Sequence, residues 1–214
     1  MSYLLHIDAT LLNAESLSRQ VARTFLDAWG GPIVHRDLAV SPVPHLSAAG
    51  LTARLTDPST YSPEVVAARG IQDELIDEFL GAGGYLFTVP LYNYGLPSVF
   101  KAWIDQVAVV GRTIAMSEGA PAQGRPALVV SSRGGAYMEG APHHGRDHLV
   151  PHLHTMLGLE LGLDLHVLTP SFGLAPVVPL MADLVPMFEA SIAEAHDQAR
   201  RLGRSFAFRP GNAA

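Results

Sequence analysis

Residues 89–107 read VPLYNYGLPSVFKAWIDQV. Val89 and Pro90 close an apolar run, Leu91-Tyr92-Asn93-Tyr94-Gly95 form a short polar-aromatic loop, and the residues from Pro97 carry a helical pattern. Proline suits a first helical turn because it lacks the amide donor that would be orphaned there. The stretch therefore reads as strand, loop and helix. In an open α/β sheet the loops beyond the strands' carboxyl ends surround the ligand crevice. Two readings of the loop stand side by side here: an ordinary connection with its tyrosines packed as core, or the aromatic wall of a site.

The same alternation extends outward in both directions. Tyr3–Ile7 is a short apolar strand, as a strand buried on both faces would be. A helix is expected over Ser16–Ala28, with Leu17, Val21, Phe25 and Ala28 at helical spacing and Gly30-Gly31 as its stop. Pro32–Asp37 reads as a second strand, and residues 41–62 as a long loop. Pro63 opens a helix to about Leu80 with Val66, Ile71, Leu75 and Phe79 on one side, ended by Gly81-Ala82-Gly83-Gly84. Strands follow at Tyr85–Val89, Pro126–Ser131 and Leu163–Leu168. Helices are expected over Pro97–Val110, His148–Leu161 and Pro186–Leu202, with an irregular excursion at 111–125. This alternation argues a three-layer αβα sandwich around a five-stranded parallel sheet, in the flavodoxin-like order 2-1-3-4-5.

Composition narrows the function. The 214 residues suit one domain spanning 1–214, and 48% hydrophobic residues supply its core. A net charge of −6 with no basic run argues against nucleic acid and membrane surfaces as partners. The absence of cysteine excludes disulfides, thiolate metal sites and cysteine nucleophiles. The N-terminus lacks the pattern of a secretory signal and no window has the length of an apolar membrane span. A soluble cytoplasmic protein is the expectation.

Three loops fall on the carboxyl edge of neighbouring strands. The first offers Thr10, Ser16 and Ser18 at the start of a helix, where free N–H groups and the helix dipole attract phosphate. Plain N-capping by serine is the competing account. The second loop is Leu91–Gly95, able to lie against a flat ring. The third is Ser132-Arg133-Gly134-Gly135, whose glycines let a ligand approach the main chain. Arg133 reads either as a ligand contact or as half of a salt bridge. One phosphate site beside one planar-ring site fits a flavin mononucleotide better than a dinucleotide.

These motifs resemble the FMN-dependent NADH:quinone oxidoreductase and NADH-azoreductase family, of flavodoxin-like fold. LYNYGLPSVFKAWIDQV is similar to that family's MYNF-x-x-P-x-x-L-K-x-W-x-D-x-V, Gly111-Arg112-Thr113 to its G-x-T, Ser132–Gly135 to its SRGG and Ser16-Leu17-Ser18 to its Ser-x-Ser. The resemblance implies that Thr10, Ser16, Leu17 and Ser18 hold the FMN phosphate. It implies that Leu91, Tyr92, Asn93 and Tyr94 flank the ring, and that Ser132, Arg133, Gly134 and Gly135 meet its pyrimidine side. Leu91 stands where the family has methionine and Tyr94 where it has phenylalanine, and 168–176 (LTPSFGLAP) departs further, which bears on substrate preference. Tyr94 and Tyr137 are candidates to face substrate.

The implied enzyme is a homodimer with non-covalent FMN. NADH or NADPH reduces the flavin and leaves; quinones or azo compounds, small aromatic acceptors, are then reduced by two electrons in ping-pong order. No protein acid or base is obligatory, because flavin N5 carries the hydride. An NAD(P)H-dependent FMN or nitroaromatic reductase is a second reading, and a flavodoxin-type electron carrier a third. Trp103 is expected to pack and Lys101 to pair with Asp105. The histidines at 143, 144, 148, 152 and 154 show no metal-ligand motif, so no metal is expected, although a histidine near the flavin is suited to donate a proton.

Overall fold

Unbroken apolar runs build the centre of the molecule. The computed structural model describes residues 3–12, 16–116 and 118–207, so Asn13, Ala14 and Glu15 of the first loop lie outside the described residues. Strands β1 (Tyr3–Asp8), β2 (Ile33–Asp37), β3 (Ala82–Thr88), β4 (Pro126–Val130) and β5 (Asp164–Leu168) form one parallel sheet in the order β2-β1-β3-β4-β5. This is the order expected from the sequence. All five residues of β4 are buried, which is why its sequence shows no polar alternation.

The sheet buries both faces. Leu5 and Ile7 of β1 face one layer with Phe79, Phe87, Phe100 and Trp103. Leu4 faces the other with Val21, Ala22, Phe25, Ala199 and Phe206. That second layer is made by helices α1 (Leu17–Trp29) and α6 (Val185–Ala207). The first is covered by α3 (Pro63–Gly81) and α4 (Ser98–Val107). Trp103 is fully buried, stacked on Phe100 at 5.6 Å and next to Phe87 at 5.8 Å, so it anchors α4 as expected. Truncating such a ring costs about 3–5 kcal/mol. Lys101 Nζ meets Asp105 Oδ1 at 2.6 Å on the outer face of α4.

Four sequence expectations are corrected. Residues 41–62 are not all loop: α2 (Ala48–Leu55) and a 3₁₀ turn (Pro58–Thr60) lie within them. The buried face of α2 is Ala49, Gly50 and Ala53, too small to register as an apolar stripe; Ser47 caps it by accepting from the Gly50 amide. In α3 the inward residues are Val65, Gln72, Leu75, Ile76 and Phe79, while Val66 and Ile71 face solvent. A buried glutamine hid that face; Gln72 donates to the Gly50 carbonyl at 3.1 Å.

The glycines after α3 do not form a connection either. Ala82, Gly83 and Gly84 already belong to β3, and a Cβ on Gly84 would sit 3.3 Å from the Pro126 carbonyl oxygen. The helix expected over 148–161 begins as α5 (Leu149–Leu153) and widens into π-helical turns over His154–Glu160. Leu149, Leu153, Leu157 and Leu161 all point into the core. A strict four-residue spacing drifts roughly 40° per step on an α-helix of 3.6 residues per turn. Wider turns bring the later leucines back into line.

Candidate functional site

The carboxyl edge of β1, β3 and β4 gathers the three loops. At the first, Ser16 precedes α1 but makes no capping bond to it. Its Oγ lies 3.1 Å from Thr10 Oγ1, and both residues are buried. Plain N-capping is therefore not its role, and the first amides of α1 receive no bond from the Ser16 side chain. Ser18 is buried and differently employed: its hydroxyl donates to Ser132 Oγ at 2.7 Å and accepts from the Ser132 amide at 3.0 Å. Leu17 lies between the first and third loops, against the Gly173 backbone, where an added Cβ would come within 2.8 Å of Leu17 Cδ1.

Arg19 locks this loop to the sheet. Nε donates to Asp8 Oδ2 at 2.7 Å and Nη2 to Asp37 Oδ2 at 2.8 Å, while Nη1 reaches the Leu12 carbonyl at 2.9 Å and Nη2 that of Thr10 at 3.3 Å. Asp8 also accepts from the Thr10 amide. Two carboxylates and two carbonyls thus share one guanidinium, whose planar fork can serve several acceptors at once.

The second loop is a tight turn. Tyr92 and Gly95 exchange amide-to-carbonyl bonds of 3.2 and 2.9 Å, and between them Asn93 and Tyr94 have φ of 47° and 67°. Positive φ at both central residues is the geometry of a type I′ turn. Asparagine tolerates it; tyrosine does not do so readily. The turn is held from both sides: the Leu91 amide donates to the Ser132 carbonyl at 3.1 Å and the His148 amide to that of Tyr94 at 3.0 Å. Tyr92 turns its hydroxyl to the first loop, accepting from the Leu11 amide at 3.1 Å, 3.4 Å from Thr10 Oγ1.

At the third loop Arg133 is buried. Nη1 donates to Asp147 Oδ2 at 2.6 Å, but Nε and Nη2 find no partner among the described residues. Asp147 Oδ1 in turn accepts from the Leu149 and Val150 amides at the start of α5. Residues 170–175 run beside the loop as a strap. The Arg133 amide donates to the Pro170 carbonyl, and the amides of Phe172, Gly173 and Leu174 donate to the carbonyls of Gly135, Arg133 and Gly134 at 2.9–3.1 Å. A Cβ on Gly134 would come within 2.8 Å of Leu174 Cδ1. Tyr137 lies over Arg133 at 5.6 Å and meets the rings of Tyr94 and His143. Burial, and then Tyr94, raise the Tyr137 hydroxyl above its ordinary pKa.

The histidines at 143–154 divide between two places: His143 packs on Tyr137 beside the third loop, while His148 and His152, four residues apart, lie on one side together. His148 precedes α5, and with His152, His45, Lys101 and Asp105 it lines a separate cleft of about 440 Å³ beside α4. Burial, then Lys101, hold His152 below its ordinary pKa. Elsewhere the ligand atoms of His6, Asp8 and His35 approach within 4.8 Å of one another. There Arg19 already holds Asp8, and His6 Nε2 lies 2.8 Å from Thr88 Oγ1.

A profile of the flavodoxin-like fold matches residues 2–164. An FMN-dependent NADH:quinone oxidoreductase of Streptomyces avermitilis is 40% identical over 215 residues, covering 98% of this chain and 99% of its own. One from Streptomyces coelicolor is 42% identical over 205 residues, covering 93% and 92%. The chain belongs to the FMN-dependent NADH:quinone oxidoreductase family. The motif resemblance is thereby confirmed. Solved azoreductases share the fold at 20% identity. One from Bacillus anthracis str. Sterne has a TM-score of 0.81 over 96% of this chain and all of its own. An FMN-dependent NADH-azoreductase from Bacillus anthracis str. Ames Ancestor, in complex with FMN, has a TM-score of 0.78 over 95% and 100%.

For this member of the quinone oxidoreductase family, the sequence did not single out Arg19, and it marked 168–176 only as a departure from the family pattern, not as a strap on the third loop. Arg19 follows Ser-x-Ser directly, and the Asp8 and Asp37 carboxylates at two strand ends were the available signal. The strap bonds through main chain, which leaves no side-chain signature.

Proposed function

We propose that the chain binds FMN across these three loops and reduces quinones and azo compounds by a ping-pong, two-electron cycle with NADH or NADPH as donor. The observation that carries this reading is the convergence of unfilled donors. The start of α1 receives no bond from the Ser16 side chain, Thr10 and Ser16 present hydroxyls beside it, and Arg133 keeps two guanidinium nitrogens without partners among the described residues. A helix N-terminus with adjacent hydroxyls suits a phosphate. Buried unpaired guanidinium groups suit the carbonyl and nitrogen acceptors of a flavin pyrimidine edge.

The bound flavin supplies hydride chemistry at N5; the chain supplies position and exclusion of water. Thr10, Ser16 and Leu17 with the helix start hold the phosphate, and Ser18 holds the first loop to the third. Leu91, Asn93 and Tyr94 form the ring-side wall, with Tyr92 tying that wall to the phosphate loop. Ser132, Arg133, Gly134 and Gly135 meet the pyrimidine side, and Tyr94 with Tyr137 faces the acceptor. We read residues 1–214 as one cytoplasmic FMN-binding domain working as a homodimer. Exposed Leu51, Leu55, Val110 and Met116 supply apolar surface for a partner. No helix among the described residues is long and apolar enough to cross a membrane.

The absorption spectrum of the purified protein is the test. A flavin band that bleaches with NADH and returns with menadione supports the reading, and a colourless protein that takes up no FMN sinks it. Rapid NADH oxidation with menadione also separates an enzyme from a carrier. Asn93→Ala should weaken FMN binding less than Gly134→Val, because the valine must displace Leu174 and close the approach to the main chain.

A further inference from the structure

Two neighbouring strands end on the same short pattern. His6-Ile7-Asp8 closes β1 and His35-Arg36-Asp37 closes β2. The parallel register pairs His6 with His35 and Asp8 with Asp37. Side chains two apart on a strand share a face, so these four project together on the side of α1. There they line a cavity of about 420 Å³ with Arg19 and Arg23 of that helix. The two imidazoles stack with centroids 4.6 Å apart. One ligand atom from each of His6, Asp8 and His35 lies within 4.8 Å of the other two, and no other trio of histidine and carboxylate groups among the described residues comes so close.

We propose that His6, His35 and Asp8 bind a divalent transition cation of the zinc type, joining β1 to the edge strand β2 through their side chains. The site is separate from the flavin crevice and does not depend on the flavoenzyme reading. Two imidazole nitrogens and one carboxylate oxygen suit zinc and its borderline neighbours, whereas magnesium and calcium take oxygen ligands. Three protein ligands leave a fourth position for water. His6 Nε2 lies 2.8 Å from Thr88 Oγ1. With that nitrogen donating to the hydroxyl, Nδ1 keeps the lone pair a cation needs, which is how an outer partner fixes a ligating imidazole. Asp8 accepts from the Thr10 amide and from Arg19 Nε, and a carboxylate has about four lone-pair sites, so room for a cation remains. Asp37 accepts from Arg19 as well, which meets the guanidinium charge there and leaves the Asp8 charge to a second cation. Arg23 is exposed, where solvent and salt screen it. Ligands bonded to zinc at about 2.0–2.2 Å stand roughly 3.4 Å from one another. His35 Nε2 is 4.0 Å from Asp8 Oδ2, and its half-exposed ring on the edge strand can turn to close that gap.

The experiment is a calorimetric titration with Zn²⁺ of the full chain, freed of any affinity tag and stripped of metal by chelator. Parent, His35→Gln and His152→Gln are compared. The parent should bind one zinc ion and melt at a higher temperature with it, since a ligand held only by the folded chain stabilises that chain. His35→Gln should weaken binding about tenfold or more, while its metal-free melting temperature stays near the parent's because the ring is half exposed. His152 lies in the cleft beside α4 with His45 and His148, and His152→Gln should bind zinc as the parent does. Mg²⁺ in place of Zn²⁺ should give no binding heat. A parent that binds no zinc, parental affinity in His35→Gln, or loss of binding in His152→Gln would each overturn the proposal. If His35→Gln does not fold, the parent decides: Co²⁺ must bind with the visible absorption of a four-coordinate site and be displaced by zinc, and a parent without those bands overturns the assignment.

Discussion

Ser18 and Ser132, 114 positions apart, are joined by two hydrogen bonds: Ser18 Oγ donates to Ser132 Oγ at 2.7 Å and accepts from its amide at 3.0 Å. The Ser18 hydroxyl, in the first turn of α1, is therefore a tie between the first loop and the SRGG loop. Ser18→Ala leaves the Ser132 amide without its acceptor and should lower stability by about 1–3 kcal/mol. FMN affinity should fall with it, because two walls of one crevice are uncoupled. Ser132→Ala keeps the amide-to-Ser18 bond and should cost less, about 0.5–1.5 kcal/mol. Urea unfolding and FMN titration of both variants check the order.

Arg19 is expected to resist its conservative replacement. Its fork serves Asp8, Asp37 and the Thr10 and Leu12 carbonyls from three nitrogens. The lysine ammonium is a compact point charge and cannot reach all four. Arg19→Lys should loosen residues 10–12 and weaken FMN binding about tenfold, equivalent to about 1.4 kcal/mol, with little change in helix content. A lysine variant with parental flavin affinity would show that the loop holds its shape without the clamp.

The turn at Asn93 and Tyr94 gives a sharper contrast. Both have positive φ, and Tyr94 is 41% exposed, so its conformation is imposed by the turn and not by core packing. A non-glycine residue held there costs of order 1–3 kcal/mol. Asn93→Gly should be neutral or slightly stabilising, whereas Asn93→Val, β-branched at positive φ, should destabilise clearly. Tyr94→Gly should relax the backbone while removing the ring that the proposed function turns toward the acceptor: thermal stability holds and KM for menadione rises. Melting curves and steady-state kinetics on the three variants separate backbone from side chain.

How much of this was legible depended on residue size and on where partners sit. The apolar run Leu128–Val130 and the strand-loop-helix at 89–107 announced the sheet and its order, because a strand buried on both faces has no polar residues to disguise it. Helix α2 stayed hidden because Ala49, Gly50 and Ala53 carry too little side chain to mark a face. The inward face of α3 was misread because Gln72 looks like solvent and is core. In the site, the three loops were visible as motifs. The uses of their hydroxyls were not: Ser18 meets a residue from a distant strand end, and Arg19 meets Asp37 across the sheet edge. The π-helical turns after α5 could be inferred from four leucines at strict four-residue spacing, yet that pattern is read more readily as an α-helix.

His6 makes stability depend on pH. It is buried on β1 against Thr88 and stacked on His35 at 4.6 Å. Burial first, then the nearby His35 and Arg19, push its pKa from 6.5 down to about 3. The folded state therefore keeps His6 neutral where the unfolded chain would protonate it. Its contribution is fully present above about pH 6.5 and is lost as pH falls from there toward 3, at up to about 1.4 kcal/mol per pH unit. His6→Asn removes the titrating group at some fixed cost and should flatten this slope between pH 6.5 and 4.5. His144→Asn, at an exposed position, should leave the slope as in the parent. Urea unfolding of FMN-loaded protein at several pH values checks this, and a parental slope in His6→Asn would assign the acid sensitivity to other groups.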